Sequence, residues 1–205
     1  MHSIVIGLTG PTGAGKSTVA DALYDCGAKI IDCDRLAREI VEDPECIEQL
    51  KREFGSDIVD SRNRLDRHLV AERAFCTPET SQRLNDITHP LIRRRMCEQI
   101  ESYRTLGAPY IVVDAALLFE GNADQYCDVT VAVTAEDSLR LARIMRRDGI
   151  AEPLARARMG AQKPNAFYSS RADYSFDGGG RIEDVPERVR KLLRQITGDR
   201  NEKKA

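Results

Sequence analysis

The run Gly10-Pro-Thr-Gly-Ala-Gly-Lys-Ser17 carries the clearest chemistry in the chain. It fits the spacing G-x-x-x-x-G-K-[ST], which suits the binding of a nucleoside triphosphate. Glycines let the backbone curl until successive N–H groups point at phosphate oxygens. A helix opening at Lys16 would add the positive end of its dipole. Lys16 then reaches the β- and γ-phosphates, and the Ser17 hydroxyl is placed to ligand magnesium. The competing reading, a glycine-rich turn with a chance lysine, fails on context. The motif follows an apolar, strand-like run at 4–8 and precedes helical sequence. The loop residues expected to touch the nucleotide are Gly10, Thr12, Gly13, Ala14, Gly15, Lys16, Ser17 and Thr18.

Three acids belong to the same chemistry. Asp32 and Asp34 follow a second apolar run, and Asp114 closes a third, Tyr-Ile-Val-Val-Asp. In a parallel sheet, ligands bind beyond the carboxyl ends of the strands. Acids there can hold magnesium or act as general base on an acceptor hydroxyl. The alternative is helix capping, most directly for Asp34, which sits just before helical sequence. The residues alone leave the base open among the three; Asp32 is expected on the acceptor side, and Asp114, with Ser17, on the metal. Arg140, Arg143 and Arg147 fall at i, i+3 and i+7, on one helix face, with Arg146 beside them. That face is either solvated or part of a lid that neutralises charge on a transferring phosphoryl group.

These residues need a scaffold that brings strand ends together. Apolar runs at 4–8, 29–32, 110–114 and 129–133, with a shorter one at 174–176, read as strands. They are continuous rather than alternating, as expected of parallel strands buried on both faces. The first four are each followed by helical periodicity, which implies βαβ units. Helices are expected from Lys16, after Asp34, over 79–106 with a break at Pro90, over 136–147, from 153 to about 162, and over 186–196. The fold class is therefore α/β, a P-loop NTPase-type parallel sheet covered by helices on both faces. Residues 1–34 and 108–198 form this core. Residues 35–107 are too many for a simple crossover and form a helical, substrate-binding insertion. A charged stretch at about 138–163 forms a lid, and 199–205 a flexible tail.

The bulk composition narrows the classes. The chain has 205 residues, 31% charged and 41% hydrophobic, with a formal net charge of -2. That balance carries no electrostatic footprint for nucleic acid. The apolar N-terminal run is too short for a membrane span and lacks a basic leader, so a cytoplasmic protein without a membrane partner is expected. Its assembly state is expected to be monomer or weak homo-oligomer. Six cysteines show no CxxC pair, and His2, His68 and His89 show no HxxxH spacing. Reduced cysteines serving as small hydrophobes suit this pattern better than zinc or disulfides.

Two mechanistic classes compete for the nucleotide site. A switch GTPase requires a guanine-reading NKxD-type motif, and the sequence has none. Asp177-Gly-Gly-Gly180 matches D-x-x-G but lies near the C-terminus, away from the second and third strands. A mechanical ATPase requires an acidic hhhhDE strand end, whereas Ala115 follows Asp114. A small-molecule kinase remains.

Beyond the loop, the sequence resembles the dephospho-CoA kinase family over nearly its whole length. The matching pieces stand in the family's order. They are Gly7-Leu-Thr-Gly10, Ile31-Asp-Cys-Asp34 with Ala37-Arg38, and Leu65-Asp-Arg67 with Phe75. Further on come Ile87-Thr-His-Pro90, Val113-Asp114 with Leu117-Leu-Phe-Glu120, Arg143 with Arg147, Gln162, and Ala172-Asp173. The resemblance implies ATP-dependent phosphorylation of the ribose 3′-hydroxyl of dephospho-CoA with magnesium, the last step of coenzyme A biosynthesis. It implies Asp34 as base, Lys16 and Arg143 on the transferring phosphate, and Arg147 on the nucleotide. Arg38, Asp66, Arg67, His89 and Leu117 would lie near the acceptor. For His89-Pro90 the competing reading is a helix kink beside a core histidine. Family members usually carry Pro at Ala116, Gln at Arg140 and Asn at Gly178. A nucleoside or nucleoside monophosphate kinase, and a non-catalytic nucleotide switch, are the alternatives.

Overall fold

The computed structural model describes residues 3–202, with side chains through residue 198. His2 and residues 203–205 lie outside this range. Compact units divide the chain: residues 1–31 with 100–205, and residues 32–99.

Five strands build the first unit's sheet: β1 (Ile4–Thr9), β2 (Lys29–Asp32), β3 (Tyr110–Asp114), β4 (Val129–Thr134) and β5 (Tyr174–Asp177). Their spatial order is β2-β3-β1-β4-β5. β1 pairs in parallel with β3 and with β4, and β4 in parallel with β5. The register sets Leu8 opposite Asp114, so the loop after β1 and the acid ending β3 emerge at the same end of the sheet. Val5, Ile6, Leu8, Ile111, Val112, Val131 and Val133 are fully buried. Their unbroken apolar runs follow from burial on both faces.

Helices cover the sheet. The first, α1 (Lys16–Asp25), presents Val19, Ala20, Ala22 and Leu23 to the core and packs against the last helix, α9 (Val185–Glu202). Val189, Leu192, Leu193 and Ile196 on α9 join the same cluster. The final helix thus runs to Glu202, into the segment expected as a tail. Among the described residues no helix is long and apolar enough to cross a membrane.

The second unit begins with α2 (Cys33–Ile40) and α3 (Pro44–Phe54), continues with α4 (Arg67–Ala74), and enters α5 (Pro78–Thr105). Ile40, Cys46, Leu50, Phe54, Ile58, Val70, Ala74 and Leu91 form its own apolar cluster. Burial pushes the Cys46 thiol up to about 11, so it remains a protonated, unreactive hydrophobe at neutral pH. Three of these helices have readable starts. Asp43 caps α3 ahead of Pro44, and Asp66 caps α4 through Leu69 N–H. Thr77 and Thr80 each accept the other's backbone N–H at the head of α5. The helix expected to break at Pro90 is uninterrupted. Proline removes one helical hydrogen bond, and within a long helix the apolar residues on either side can hold the two halves in line.

Candidate nucleotide and acceptor site

The loop between β1 and α1 turns on three glycines with positive φ: Gly10 at 145°, Gly13 at 78° and Gly15 at 100°. A Cβ on Gly10 would stand 2.1 Å from the Val133 carbonyl oxygen, so the loop leaves the sheet hard against β4. Gly10→Ala is expected to lower the thermal midpoint by about 5–15 °C, because overpacking and a disfavoured φ act together. An unchanged midpoint in a thermal scan would show that the loop has slack the geometry denies.

Five residues from α6 (Asp137–Asp148), the following α7 (Glu152–Gly160) region and the 177–180 loop hold this phosphate-binding loop from outside. Arg140 Nε donates to the Thr12 carbonyl at 3.0 Å, and Gln162 Oε1 accepts Thr12 N–H at 2.7 Å. Arg147 Nη2 donates to the Thr12 hydroxyl at 3.3 Å. Arg143 Nη1 reaches the carbonyls of Gly13 and Ala14 at 3.2 and 3.3 Å, and its Nη2 donates to the Gly178 carbonyl at 2.8 Å. A Cβ on Gly178 would stand 1.9 Å from the Ala14 carbonyl oxygen, so glycine at this position permits the contact.

The arginine face is therefore solvated only in part, Arg147 being exposed while Arg140 and Arg143 turn to the loop. The Arg140 side chain is 3% exposed, and its Nη1 also pairs with Asp137 at 2.8 Å. Arg146 is exposed. Arg147 holds the Asp148 carboxyl below the usual carboxylate range, and Arg158 pairs with the same carboxylate. Arg143, expected to face the transferring phosphate, spends its guanidinium on carbonyls here.

Of the loop's amides, Thr12 N–H goes to Gln162 and Ala14 N–H to the Pro11 carbonyl at 3.1 Å. Among the described residues Gly13 and Gly15 N–H have no protein partner. The N–H groups of the first helical turn, Lys16, Ser17 and Thr18, lack i−4 carbonyls as at any helix start. Lys16 forms an ion pair with Asp114, with both side chains largely shielded, while Ser17 is exposed. The result is a cluster of amide donors, one ammonium, one hydroxyl and one carboxylate. That set fits a triphosphate, and the oxygen pair Ser17–Asp114 suits a hard cation such as magnesium.

The expected acceptor-side residues lie in the second unit, except for Leu117, which is exposed in the turn after β3. The helix-capping role weighed for Asp34 falls on Asp32. The helix begins two residues earlier than expected, at Cys33, so Asp32 Oδ1 accepts Arg35 N–H at 2.8 Å. Asp34 is exposed in the first turn. Arg67 bonds the Arg38 carbonyl at 2.9 Å and pairs with Glu42, which draws Arg38 and Arg67 together. Asp66 is engaged as a cap. His89 is half-buried in α5, and desolvation, aided by Arg93, lowers its pKa.

The sequence assigns no role to Gln162, a bare match, or to Gly178, a loop residue; Arg140 stands in it both as a departure and on the face weighed as solvated or lid-forming. The i, i+3, i+7 spacing flagged Arg140, but not its burial.

The fold and loop define a phosphate-binding-loop protein of kinase architecture. A family model described as dephospho-CoA kinase matches residues 4–184. A dephospho-CoA kinase from Corynebacterium diphtheriae is 40% identical, over 93% of this chain and 96% of its own. One from Syntrophotalea carbinolica is 36% identical, over 94% and 92%. A crystal structure from Thermus thermophilus superposes with a TM-score of 0.80 at 34% identity, covering 96% of this chain and 99% of that one. The chain belongs to the dephospho-CoA kinase family.

Proposed function

We propose that this chain transfers the γ-phosphoryl group of ATP to the ribose 3′-hydroxyl of dephospho-CoA, giving coenzyme A and ADP. The observation that carries the reading is a single family match spanning residues 4–184, phosphate-binding core and helical insertion together. The core supplies the nucleotide side. The unpartnered amides of Gly13 and Gly15 and the start of α1 cradle phosphate oxygens. Lys16 neutralises charge on the transferring group, and Arg147 supports the nucleotide side. Ser17 and Asp114 would hold magnesium, which supplies charge neutralisation across the β- and γ-phosphates.

The insertion supplies the acceptor side through Asp32, Arg38, Asp66, Arg67 and His89, joined by Leu117 from the core. Arg38 and Arg67 suit the acceptor's phosphates by charge-assisted hydrogen bonds. Asp34 takes the proton from the 3′-hydroxyl as its oxygen attacks the γ-phosphorus and the bond to the β-phosphate oxygen breaks. Both substrates are water-soluble metabolites, which suits a cytoplasmic enzyme.

The test measures ADP formed with magnesium, ATP and one acceptor at equal concentration. Release is expected with dephospho-CoA and little with AMP, CMP, UMP or GMP. Faster release with a mononucleotide would move the assignment to a nucleoside monophosphate kinase. No stimulation by any acceptor would leave a nucleotide switch.

Arg143 is separable from its neighbour in the same assay. Arg143→Ala is expected to lower turnover by about 10²-fold, whereas Arg146→Ala, on the exposed side, is expected to stay within about twofold. Equal losses would count against a specific role for Arg143.

A further inference from the structure

Arg140 stands outside the residues assigned to either substrate, yet it is the most buried charge in the described chain. Burying a guanidinium is costly unless its donors are met. Nε is met by the Thr12 carbonyl and Nη1 by Asp137, whereas Nη2 is buried without a partner among the described residues. The backbone of residue 140 also presses on the loop, since a Cβ on Gly13 would come to 2.7 Å from the Arg140 carbonyl oxygen.

The consequence lies in peptide geometry. In a trans peptide the carbonyl of one residue and the N–H of the next point in opposite directions. Holding the Thr12 carbonyl on the α6 side turns Gly13 N–H to the opposite side. Arg143 does the same for the next two peptides through the Gly13 and Ala14 carbonyls. The Ala14 N–H it turns is taken by Pro11, but the Gly15 N–H is not. Gln162 holds Thr12 from its other end, through N–H. Residue 12 is thereby fixed at both of its peptides by two side chains from different parts of the 137–162 segment.

We propose that Arg140 is a positioning residue that orients Gly13 N–H for phosphate, acting jointly with Gln162 on the two peptides of Thr12. The inference deepens the kinase reading above and rests on the nucleotide occupying this loop. A loop oriented beforehand loses less conformational entropy on binding, so the effect belongs to ATP affinity and not to the acceptor.

The experiment measures ATP and dephospho-CoA binding separately by calorimetry, alongside steady-state turnover. Arg140→Met keeps length and removes every donor, and is expected to weaken ATP about tenfold, the effect of one lost hydrogen bond. Dephospho-CoA affinity is expected to change by less than about twofold. Arg140→Gln retains one donor for the Thr12 carbonyl and is expected to remain within about threefold of wild type for ATP. Gln162→Leu is expected to resemble Arg140→Met. The double variant should fall short of the product of the single effects, because both act through residue 12. Unchanged ATP affinity in Arg140→Met overturns the inference. So do equal losses for both ligands, equal effects of Met and Gln, and a multiplicative double variant. Wild-type protein that binds ATP without phosphorylating dephospho-CoA would remove the reaction assignment while the ATP affinities still decide the role of Arg140.

Discussion

Lys16→Ala is expected to leave a folded protein whose turnover falls by about 10³-fold or more. The magnitude follows from removing a fixed positive charge from a site where negative charge is transferred. Lys16 opens α1, and its ammonium pairs with Asp114 at the end of β3. It belongs to neither apolar cluster, so the packing of Val19, Ala20, Ala22 and Leu23 behind it is untouched. Circular dichroism and a thermal scan establish folding, and coupled ADP release measures the rate. Full activity in a folded Lys16→Ala protein would refute a triphosphate role for the loop. Lys16→Arg is expected to restore little, since a planar guanidinium is not a compact ammonium.

Asp34→Asn is expected to lower turnover by about 10²–10⁴-fold, the range for loss of a general base. Its ATP affinity should remain within about twofold. The structure sharpens this expectation. Asparagine at position 34 costs α2 only one first-turn charge, worth about 0.3–1 kcal/mol, because the capping hydrogen bond belongs to Asp32. A large loss of rate therefore cannot be attributed to an unravelled helix. Asp32→Asn is the informative companion, since asparagine caps nearly as well as aspartate. Wild-type turnover in Asp34→Asn, with loss in Asp32→Asn, would move the base to residue 32.

The sequence by itself determined the scaffold and the phosphate-binding loop. Four of the five strands announced themselves as unbroken apolar runs, because a strand covered on both faces has no polar side to show. The loop was legible because its requirement is local. Positive φ at Gly13 and Gly15 and the placement of Lys16 at a helix start are settled within a few residues. The helical insertion was legible as excess length between the second and third strands.

What only the tertiary structure decided concerns partners distant in sequence. Thr12 meets Arg140, Arg147 and Gln162 at separations of 128, 135 and 150 residues. A spacing of i, i+3, i+7 says that three arginines share a helix face, and nothing about what that face meets. Arg140 stands in the sequence as a departure on a face either solvated or lid-forming, and in the structure it is buried against the loop. Gly178 read as a loop glycine and proved to sit where a Cβ would collide with Ala14. The cap of α2 went to Asp32 and not Asp34, because helix starts are fixed by one hydrogen bond that either acid could have supplied. Pro90 failed to break α5, since proline's cost is local while the packing that opposes it is gathered along the helix from residues such as Leu91, Met96 and Ile100. Local backbone geometry is written in neighbouring residues. Burial, and the choice among equivalent donors and acceptors, are settled by which distant segments the folded chain brings together.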